Sequence, residues 1–291
     1  MDITAARTFL AVLEAGNFVA AARRLNVTQS TVSARIKSLE EELGKTLFTR
    51  TKASCELTPA GSQFQRFARS LVLVWEEAKH QVALPEGFED TLIVGGQYSL
   101  WNRLLLWWVP AFRKAAPSVA LRCEAGMPQH LMQEMTEGVM DLAVLYQPEH
   151  RPGMIVQELL KDRLILVTAE PNIPFRDNYI FTDWGEQFHI MHAAAHPDLF
   201  TPAVTLDLGA LGVNTLLNLR GSAYFPERIV RPHLEKKLLF AVEDAPDFPY
   251  PAYVVYREKF SSPAIMEKAL DTLFETSNRA QHGKLPKPYW M

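Results

Sequence analysis

The chain has 291 residues, of which 48% are hydrophobic and 22% are charged. This is the composition of an ordinary globular protein, and the length allows about two or three domains. No apolar run approaches the ~18 residues that cross a bilayer, and the N-terminus lacks the basic and apolar regions of an export signal. Only two cysteines occur, Cys55 and Cys123, which excludes a disulfide framework and a thiolate zinc site. We therefore expect a cytoplasmic protein with no membrane partner.

The formal net charge of −3 is distributed unevenly along the chain. Residues 1–84 hold 11 Lys and Arg against 8 Asp and Glu, a charge of +3, whereas residues 85–291 hold 19 against 25, a charge of −6. A small basic module on a larger acidic body suits local contact with phosphates better than general binding of polyanions. The charge pattern therefore indicates a nucleic-acid contact confined to the N-terminal part of the chain.

The N-terminal residues predict three short helices. Apolar residues recur at helical spacing over 3–13 and 18–25, so the first two helices each bury one face. Asn17 and Thr28 are N-caps by type and position for the second and third helices. The third helix is expected to end near Gly44.

Small polar side chains cover one side of the third helix. Its buried side includes Val32 and Ile36. At ~100° per residue, the opposite side centres on Ser30, Ala34 and Lys37. Small groups there let the helix approach base edges in the major groove, and the positive N-terminal end of a helix suits phosphate. The residues of this helix expected to contact DNA are Thr28, Gln29, Ser30, Thr31, Ser33, Ala34, Arg35 and Lys37. A helical pair that merely shows polar residues to water is the alternative.

Two short strands are predicted at 46–50 and 55–57, on either side of a loop at 51–54. This arrangement forms a wing, in which Arg50 and Lys52 could reach the flanking DNA backbone or minor groove. A solvated basic loop is the alternative for these two residues.

A long helix is predicted to begin at Thr58-Pro59, an N-cap followed by proline at the first helical position. Apolar residues then recur every three or four positions as far as Val82, which gives one long apolar stripe. Pairing with the same helix of a second chain would bury the stripe, and a two-fold dimer would match an inverted-repeat DNA site. Packing against the C-terminal body is the alternative, and a hinge is expected at 84–87. The residues expected in the dimer contact are Phe64, Phe67, Leu71, Val74, Trp75 and Ala78.

Residues 88–291 predict an α/β body. Strands at 91–95, 119–124 and 140–146 alternate with helices that begin at Ser99 and Pro128, a pattern that favours a parallel sheet. A second such set follows, with strands at 164–168, 190–193, 203–206, 223–225 and 252–256, and helices at 208–220 and 263–275.

Two crossing connections, near 154–161 and 261–263, would join two subdomains around a cleft. In open α/β sheets, ligands bind beyond the carboxyl ends of the strands. Ser99 is expected to cap its helix and, with the N–H groups beyond it, to hold a carboxylate. The residues expected to contact an effector are Gln97, Tyr98, Ser99, Trp101, Glu124, Gly126, Met127, Tyr146, Trp184, Ser222 and Tyr224.

The sequence offers little for metal binding or catalysis. His189, His192 and His196 would share one face of a helix and could then bind a metal, but the same run also fits a strand, which would separate them. We expect no metal and no cofactor. No G-x-S-x-G, P-loop or other catalytic signature occurs, so we do not expect an enzyme.

A long ungapped pattern runs through the N-terminal module. It comprises Phe9-Leu10, Ala21-Ala22, Leu25, Thr28-Gln29-Ser30, Val32-Ser33, Ile36, Leu39-Glu40, Leu43-Gly44, Leu47-Phe48, Arg50, Leu57-Thr58 and Gly61. This pattern resembles the winged helix-turn-helix of LysR-type transcriptional regulators. One position departs from it, because the family often places a basic or long polar side chain where Ala34 stands.

The resemblance extends to the rest of the chain. The cleft-forming body is similar to the periplasmic-binding-protein-like effector domain of the same family. This similarity implies a small-molecule effector and, as usual in the family, a homotetramer made of two homodimers. The family usually carries Ser where Pro128 or Met127 stands, which is a departure in the ligand-binding pattern.

The sequence as a whole predicts an α/β multidomain protein. The predicted parts are a winged helix-turn-helix at 1–57, a linker and dimerisation helix with a hinge at 58–87, and an effector domain at 88–291. Within the effector domain, subdomain I is expected at about 88–161 and 264–291, and subdomain II at about 162–263. The expected function is regulation of transcription from double-stranded promoter DNA in the nucleoid, modulated by a small molecule of unknown identity. The first alternative is a constitutive or architectural DNA-binding protein without an effector. The second, which the sequence supports less, is an enzyme.

Overall fold

The computed structural model of the protein describes residues 2–50, 55–199 and 202–285. The chain divides into two units, Met1–Pro85 with Thr136–Val139 and Glu86–Met135 with Met140–Met291. None of the described helices is by itself long and apolar enough to cross a membrane, although the bent pair of the first two helices passes that test when the two are counted together.

Three helices and a two-stranded wing begin the first unit. They are α1 (Ile3–Ala15), α2 (Phe18–Arg24), α3 (Gln29–Leu43), β1 (Phe48–Arg50) and β2 (Cys55–Leu57), and the two strands pair antiparallel. Both predicted N-caps are confirmed, since the Asn17 and Thr28 side chains accept hydrogen bonds from the N–H groups of Ala20 and Thr31. Gly44 ends α3 with a φ of +61°, as predicted.

The linker helix α4 (Pro59–Val82) completes the first unit. The Thr58 hydroxyl caps it by accepting the N–H of Gly61 at 3.0 Å, which confirms the predicted start. A Cβ at Gly61 would lie 2.1 Å from the carbonyl oxygen of Leu47. Only glycine therefore allows α4 to lie this close to the start of the wing.

A five-stranded sheet forms the first subdomain of the second unit. Its strands are β3 (Asp90–Gly96), β4 (Val119–Ala125), β5 (Leu142–Tyr146), β6 (Met154–Leu160) and β13 (Ala252–Arg257), in the spatial order β4-β3-β5-β13-β6. As predicted, β3 runs parallel to β4 and β5. The strand near 252–256 was wrongly assigned to subdomain II, because β13 pairs antiparallel with β5 and β6. The predicted crossing connection at 154–161 is itself a strand.

Four helices accompany this sheet. They are α5 (Tyr98–Leu100), α6 (Leu106–Ala115), α7 (Pro128–Glu137) and α11 (Pro263–Gln281). The helix predicted from Ser99 is interrupted at Trp101–Leu105, where Arg103 has a φ of +63°. Pro110 lies inside α6 and lacks the N–H that would bond to the Leu106 carbonyl, which weakens the first turn of α6, next to the interruption. The prediction that Ser99 caps the helix is wrong, since Gln97 holds the cap position.

The second subdomain is built around β7. Its strands are β7 (Arg163–Thr168), β8 (Ile180–Thr182), β9 (Val204–Leu206), β10 (Ser222–Pro226), β11 (Phe240–Ala241) and β12 (Phe248–Pro249). The three described partners of β7, namely β10, β11 and β12, all run antiparallel to it. The second set is therefore not the parallel repeat that was predicted. Only the short β8–β9 pair is parallel among its described ladders.

Three helices complete the second subdomain: α8 (Glu186–Ala195), α9 (Gly212–Leu219) and α10 (Glu227–Glu235). The strand predicted at 190–193 is wrong, because these residues lie inside α8. Gly185 turns the chain into α8 with a φ of +96°, and Phe188 and His192, one turn apart, are both buried. A 3₁₀ turn at Gly209–Leu211 leads into α9, close to the predicted helix, whereas α10 was not predicted.

Candidate DNA-binding surface and effector cleft

The exposed side of α3 is the candidate DNA-binding surface. Val32, Ile36 and Leu39 are at most 1% exposed and fix α3 to the core of the first unit. The exposed residues of α3 from position 29 to position 37, called the reading face below, are Gln29, Ser30, Ala34 and Lys37. Thr31 and Ser33 beside them are half-buried. Helical periodicity predicted the buried side correctly except at Leu43, which was expected there and is 43% exposed.

Hydroxyl groups surround the first turn of α3. The Thr28 hydroxyl accepts the N–H of Thr31 at 3.2 Å. It also lies 2.8 Å from the hydroxyl of Ser30 and 2.8 Å from that of Thr31. The cap therefore orders three hydroxyls at the positive end of the helix dipole, where a phosphate oxygen would be stabilised.

The two predicted phosphate-binding cations of α3 differ in environment. Arg35 is half-buried, and its Nη1 lies 3.5 Å from the Thr8 hydroxyl on α1. Lys37 is exposed, with its Nζ 3.6 Å from the exposed Glu41 carboxylate. A pair so open to water is worth little, so the Lys37 ammonium stays available to a phosphate.

The wing is described only in part. Arg50 lies in β1 opposite Cys55. The side chain of Arg50 and the whole of Lys52, in the loop at 51–54, lie outside the described residues. Their predicted DNA contacts therefore stay predictions.

Glu40 has a structural role that the sequence did not reveal. Its Oε1 accepts the N–H groups of Leu47 at 2.7 Å and Phe48 at 3.3 Å. This carboxylate thus fixes the C-terminal end of α3 to the wing. In the sequence, Glu40 is only an acidic residue shortly before Gly44. Such a residue is as consistent with a solvated charge as with a tertiary hydrogen bond.

The linker helix α4 has two apolar faces. Gly61, Ala68 and Val72 are buried, and the ring of Phe64 packs edge-to-face on Phe9 at 5.0 Å. Phe64 is half-buried and packs against the core of its own unit, and its predicted place in a dimer contact stays a prediction. The exposed residues, called the open face of α4 below, are Phe67, Leu71, Val74, Trp75, Ala78 and Val82. Their exposed fraction reaches 64% for Val74 and 89% for Val82.

The candidate effector cleft lies between the two subdomains of the second unit. At its edge, Oε1 of Gln97, after β3, accepts the N–H of Tyr146, the last residue of β5, at 2.6 Å. Ser99 is 5% exposed and Tyr98 is 57% exposed. The structure therefore brings these four predicted residues together at neighbouring strand ends, as the topology of a parallel sheet requires.

A buried guanidinium joins the two subdomains at the floor of the cleft. Arg228 of α10 is 5% exposed, and its Nη2 donates to the Tyr146 hydroxyl at 2.9 Å and to the Ser99 carbonyl at 3.3 Å. Its Nη1 donates to the Asn102 carbonyl at 2.8 Å, and its Nε lies 3.2 Å from the buried Asp162 carboxylate. Every nitrogen of Arg228 is therefore engaged.

Aromatic rings fill the region beside Arg228. Tyr146 stacks on Tyr250 with 4.0 Å between ring centroids, and Trp184 meets Tyr250 edge-to-face at 5.6 Å. The indole N–H of Trp184 donates to the Tyr224 carbonyl at 2.8 Å. Burial raises the pKa of Tyr146 to about 12, so its hydroxyl is neutral at physiological pH.

Two contacts cross the cleft away from Arg228. The side-chain amide of Gln147 donates to that of Gln187 at 3.2 Å, and both residues are exposed. Gly209 lies opposite Ser99, where an added Cβ would stand 3.9 Å from the serine Cβ. Both contacts join the first subdomain to the second.

Other predicted effector residues lie around β4. The indole of Trp101 donates to the carbonyls of Gly96 at 3.1 Å and Glu124 at 3.0 Å, which ties the ends of β3 and β4 together. The Glu124 carboxylate pairs with Arg122 at 2.6 Å. Gly126 is buried, whereas Met127 is 51% exposed. Of this group, Met127 presents the most surface to a ligand.

Tyr224 and Ser222 are core residues of the second subdomain, in contrast to their predicted effector contact. Ser222 is 1% exposed and Tyr224 is fully buried. The Tyr224 hydroxyl donates to the Pro246 carbonyl at 3.0 Å and lies 2.8 Å from Nε2 of His196. Its ring packs against Phe248 with centroids 5.0 Å apart.

Of the three histidines of the sequence pattern, His189 and His192 lie on α8 and His196 is its C-cap, and the three have separate partners. His192 bonds the Tyr179 hydroxyl at 2.7 Å, and His189 bonds Asp183 at 2.9 Å. Because the Tyr224 hydroxyl gives its proton to Pro246, Nε2 of His196 must be the donor in their bond. No group of three or more possible metal ligands occurs among the residues that the structure describes.

Tyr250, Gln187 and Arg228 were missed by sequence reasoning, whereas Gln147 was expected at the end of the third strand of the body. Arg228 directly follows the carboxyl end of β10, so the strand-end rule that selected Tyr146 could have found it. A cavity of about 530 Å³ between β13 and α11, lined by Arg257, Phe260 and Met266 among others, contains none of the predicted effector residues.

A winged helix-turn-helix with an exposed reading face, together with an α/β unit of two subdomains, is the architecture of a DNA-binding regulator of transcription. The model of the bacterial regulatory helix-turn-helix protein, lysR family, matches residues 3–62, and the model of the LysR substrate binding domain matches residues 85–277. The chain therefore belongs to the LysR family of transcriptional regulators. Members of this family act as regulators and not as enzymes.

Known proteins share similarity over nearly the whole chain. The HTH-type transcriptional regulator HdfR of Yersinia enterocolitica is 28% identical over 286 residues, which covers 94% of this chain and 96% of HdfR. The structure of Vibrio fischeri DarR in complex with DNA has a TM-score of 0.57 at 23% identity, covering 95% of this chain and 99% of DarR. Full-length LysG of Corynebacterium glutamicum with bound effector Arg has a TM-score of 0.55 at 21% identity, covering 94% and 99%. At these identities the two structures support the fold alone.

Proposed function

We propose that the protein binds an inverted-repeat promoter site in double-stranded DNA through the reading face of α3. The observation that carries this proposal is the separation of the two sides of α3. Val32 and Ile36 are fully buried, while small or polar residues alone occupy the exposed side up to Lys37. Ala34 at the centre leaves room for close approach to bases and offers only an apolar contact, such as one to a thymine methyl group.

We infer that the open face of α4 pairs two chains. Five side chains larger than alanine lie exposed along it, with Leu71 and Trp75 one helical turn apart near its centre. A helix pair buries such a face, and its two-fold symmetry places two reading faces on the two halves of an inverted repeat. Two such homodimers form the homotetramer that the family resemblance implies.

We propose that a small-molecule effector binds in the cleft next to Tyr98, Gln147 and Met127. We further propose that the protein acts in the cytoplasm, associated with the nucleoid. These three residues are exposed at strand ends, whereas Arg228 and Tyr146 below them are buried and satisfied. An effector therefore changes the cleft by replacing exposed contacts such as that between Gln147 and Gln187. Such a change alters the spacing of the DNA-binding units without disturbing the floor of the cleft.

The proposal is tested by selecting binding sites from random duplex DNA with the full-length protein, then footprinting the selected sequence. An inverted repeat protected symmetrically on one face of the duplex is the expected result. A footprint without two-fold symmetry would contradict the proposal that a dimer binds the two halves of an inverted repeat. A metabolite screen by thermal shift then separates an effector-controlled regulator from a constitutive one, since only the former has a compound that both raises the melting temperature and changes the footprint.

A further inference from the structure

A carboxylate is buried on the linker helix where apolar side chains would be expected. Glu76 is 2% exposed and continues the buried line of α4 formed by Ala68 and Val72, each one turn from the next. Two positively charged side chains bond its two carboxylate oxygens. The guanidinium of Arg7 on α1 bonds Oε1, and Nζ of Lys79 lies 2.8 Å from Oε2.

The helix that supplies Arg7 also contacts α3. On α1 the next residue is Thr8, which is fully buried and whose hydroxyl donates to the Thr4 carbonyl at 2.7 Å. The Arg35 guanidinium of α3 lies 3.5 Å from the same hydroxyl. Helix α1 therefore lies between the helix that carries the reading face and the helix that carries the open face, and has a polar contact with each.

Stability alone does not account for this arrangement. Removing the Glu76 carboxylate from water costs free energy that its attraction to Arg7 and Lys79, whose side chains are 41% and 52% exposed, only partly repays. An apolar side chain of similar size often serves the fold as well. Apolar contacts between helices tolerate sliding and rotation, whereas an ion pair with defined geometry does not. Buried ionic groups are best attested as devices that fix one register among several.

We propose that Glu76 is a positioning residue that fixes the angle between α1 and α4, and through α1 the direction in which α3 presents its reading face. This inference rests on the proposed pairing of two chains through α4. In such a dimer, a fixed angle sets the distance and rotation between two reading faces. Glu76 thereby determines which spacing of half-sites the protein accepts, although it lies far along α4 from the cap at Thr58.

The test compares the wild type with Glu76→Met and Glu76→Gln on DNA in which the two half-sites are separated by the selected spacing or by one or two additional base pairs. Each added base pair rotates one half-site by about 35°. The expected result is that both variants keep their dimeric state and their affinity for the selected spacing within about threefold, whereas their preference for it over the longer spacings falls by about fivefold or more. Arg7→Met should reproduce this loss.

Glu77→Met is the matched control, because Glu77 is the exposed neighbour of Glu76 on the same helix. It should leave the spacing preference unchanged. If both Glu76 variants and Arg7→Met prefer the selected half-site spacing as strongly as the wild type does, the inference is overturned. Failure of the wild type to dimerise or to prefer any spacing would instead contradict the proposed pairing through α4, so the two failures are distinguishable. If Glu76→Met does not fold, Glu76→Gln and Arg7→Met decide the question.

Discussion

The Arg228 guanidinium on α10 donates to the Tyr146 hydroxyl at the end of β5, over 2.9 Å and out of contact with water. This bond joins the second subdomain to the first at the floor of the cleft. The same side chain pairs with Asp162, which lies between β6 and β7 where the chain crosses from one subdomain to the other. Arg228 is therefore a buried ionic link between the two subdomains, in addition to the contacts of Gln147 with Gln187 and of Ser99 with Gly209.

Arg228→Met should destabilise the protein strongly. It leaves the Asp162 carboxylate buried without its cation, and breaking a buried pair in this way typically costs about 3–5 kcal/mol. Urea unfolding followed by tryptophan fluorescence measures the loss. The matched control is Arg231→Met on the same helix, since Arg231 is partly exposed and pairs with Glu227 at 3.5 Å, and it should cost less than about 1 kcal/mol. Equal losses in the two variants would show that Arg228 has no special role.

Acid should weaken the second subdomain through the buried histidines His192, on α8, and His196, at its C-cap. Burial lowers the pKa of His192 to about 4 from an ordinary value of 6.5, with the nearby His196 acting in the same direction. The unfolded chain therefore takes up a proton between pH 6.5 and 4 that the folded chain does not. Stability is fully present above pH 6.5, falls as the pH drops, and levels off below about pH 4.

This effect is expected to be on the order of 2 kcal/mol between pH 7 and 4.5. Burial also lowers the pKa of His196, whose Nδ1 is buried without a partner among the described residues. Thermal unfolding of His192→Phe should show a shallower pH dependence than the wild type. His150→Phe, at an exposed position, should retain the wild-type dependence. A profile unchanged by His192→Phe would exclude this histidine as the source.

Leu71→Asp should convert the dimer to a monomer. The substitution places a charge at the centre of the open face of α4, and a charge buried there without a partner opposes association by several kcal/mol. Analytical ultracentrifugation at micromolar concentration measures the oligomeric state. Ser70→Asp, which adds the same charge one residue away on an exposed part of α4, should remain dimeric. Dimers of normal affinity from both variants would place the interface elsewhere.

Lys37→Ala should weaken DNA binding uniformly over different sequences. One lost phosphate contact should also lower the slope of log affinity against log salt concentration by about 1. Titrations at several salt concentrations measure this slope. Lys114→Ala removes an exposed lysine from the second unit and should leave the slope unchanged. Identical slopes for Lys37→Ala and the wild type would show that Lys37 makes no phosphate contact.

Local signals made the N-terminal unit predictable. A helix start such as Thr28 or Thr58 depends on side chains within three residues, and the buried positions of α3 depend only on helical periodicity. The contacts of Glu40 and Phe64 were not predicted, for the opposite reason. Their partners, Leu47 and Phe9, lie outside the helices that carry Glu40 and Phe64, and polarity or periodicity alone does not reveal a tertiary contact.

Strand pairing limited the prediction of the second unit. The strand β13 is apolar in sequence like its neighbours, but it pairs with β5, more than 100 residues earlier, and no local feature specifies that choice. The apolar residues from Phe188 to His192 fit the spacing of a helix and that of a strand equally well. The segment is a helix in the structure, with Phe188 and His192 both buried. The strand-end rule correctly predicted that Gln97 and Tyr146 lie together, and their effector contact stays a prediction, whereas Tyr224 is buried in the core.

The central claim is that the reading face of α3 lies against DNA bases. Ala34→Glu tests it most directly, because it adds a negative charge at the centre of that face on an exposed helical position. Affinity of the purified variant for the selected operator should fall by about 100-fold or more, a loss of roughly 3 kcal/mol, with an unchanged melting temperature and dimeric state. Ala83→Glu, the same change at the exposed end of α4, should bind like the wild type. Wild-type affinity of Ala34→Glu for the operator would contradict the account.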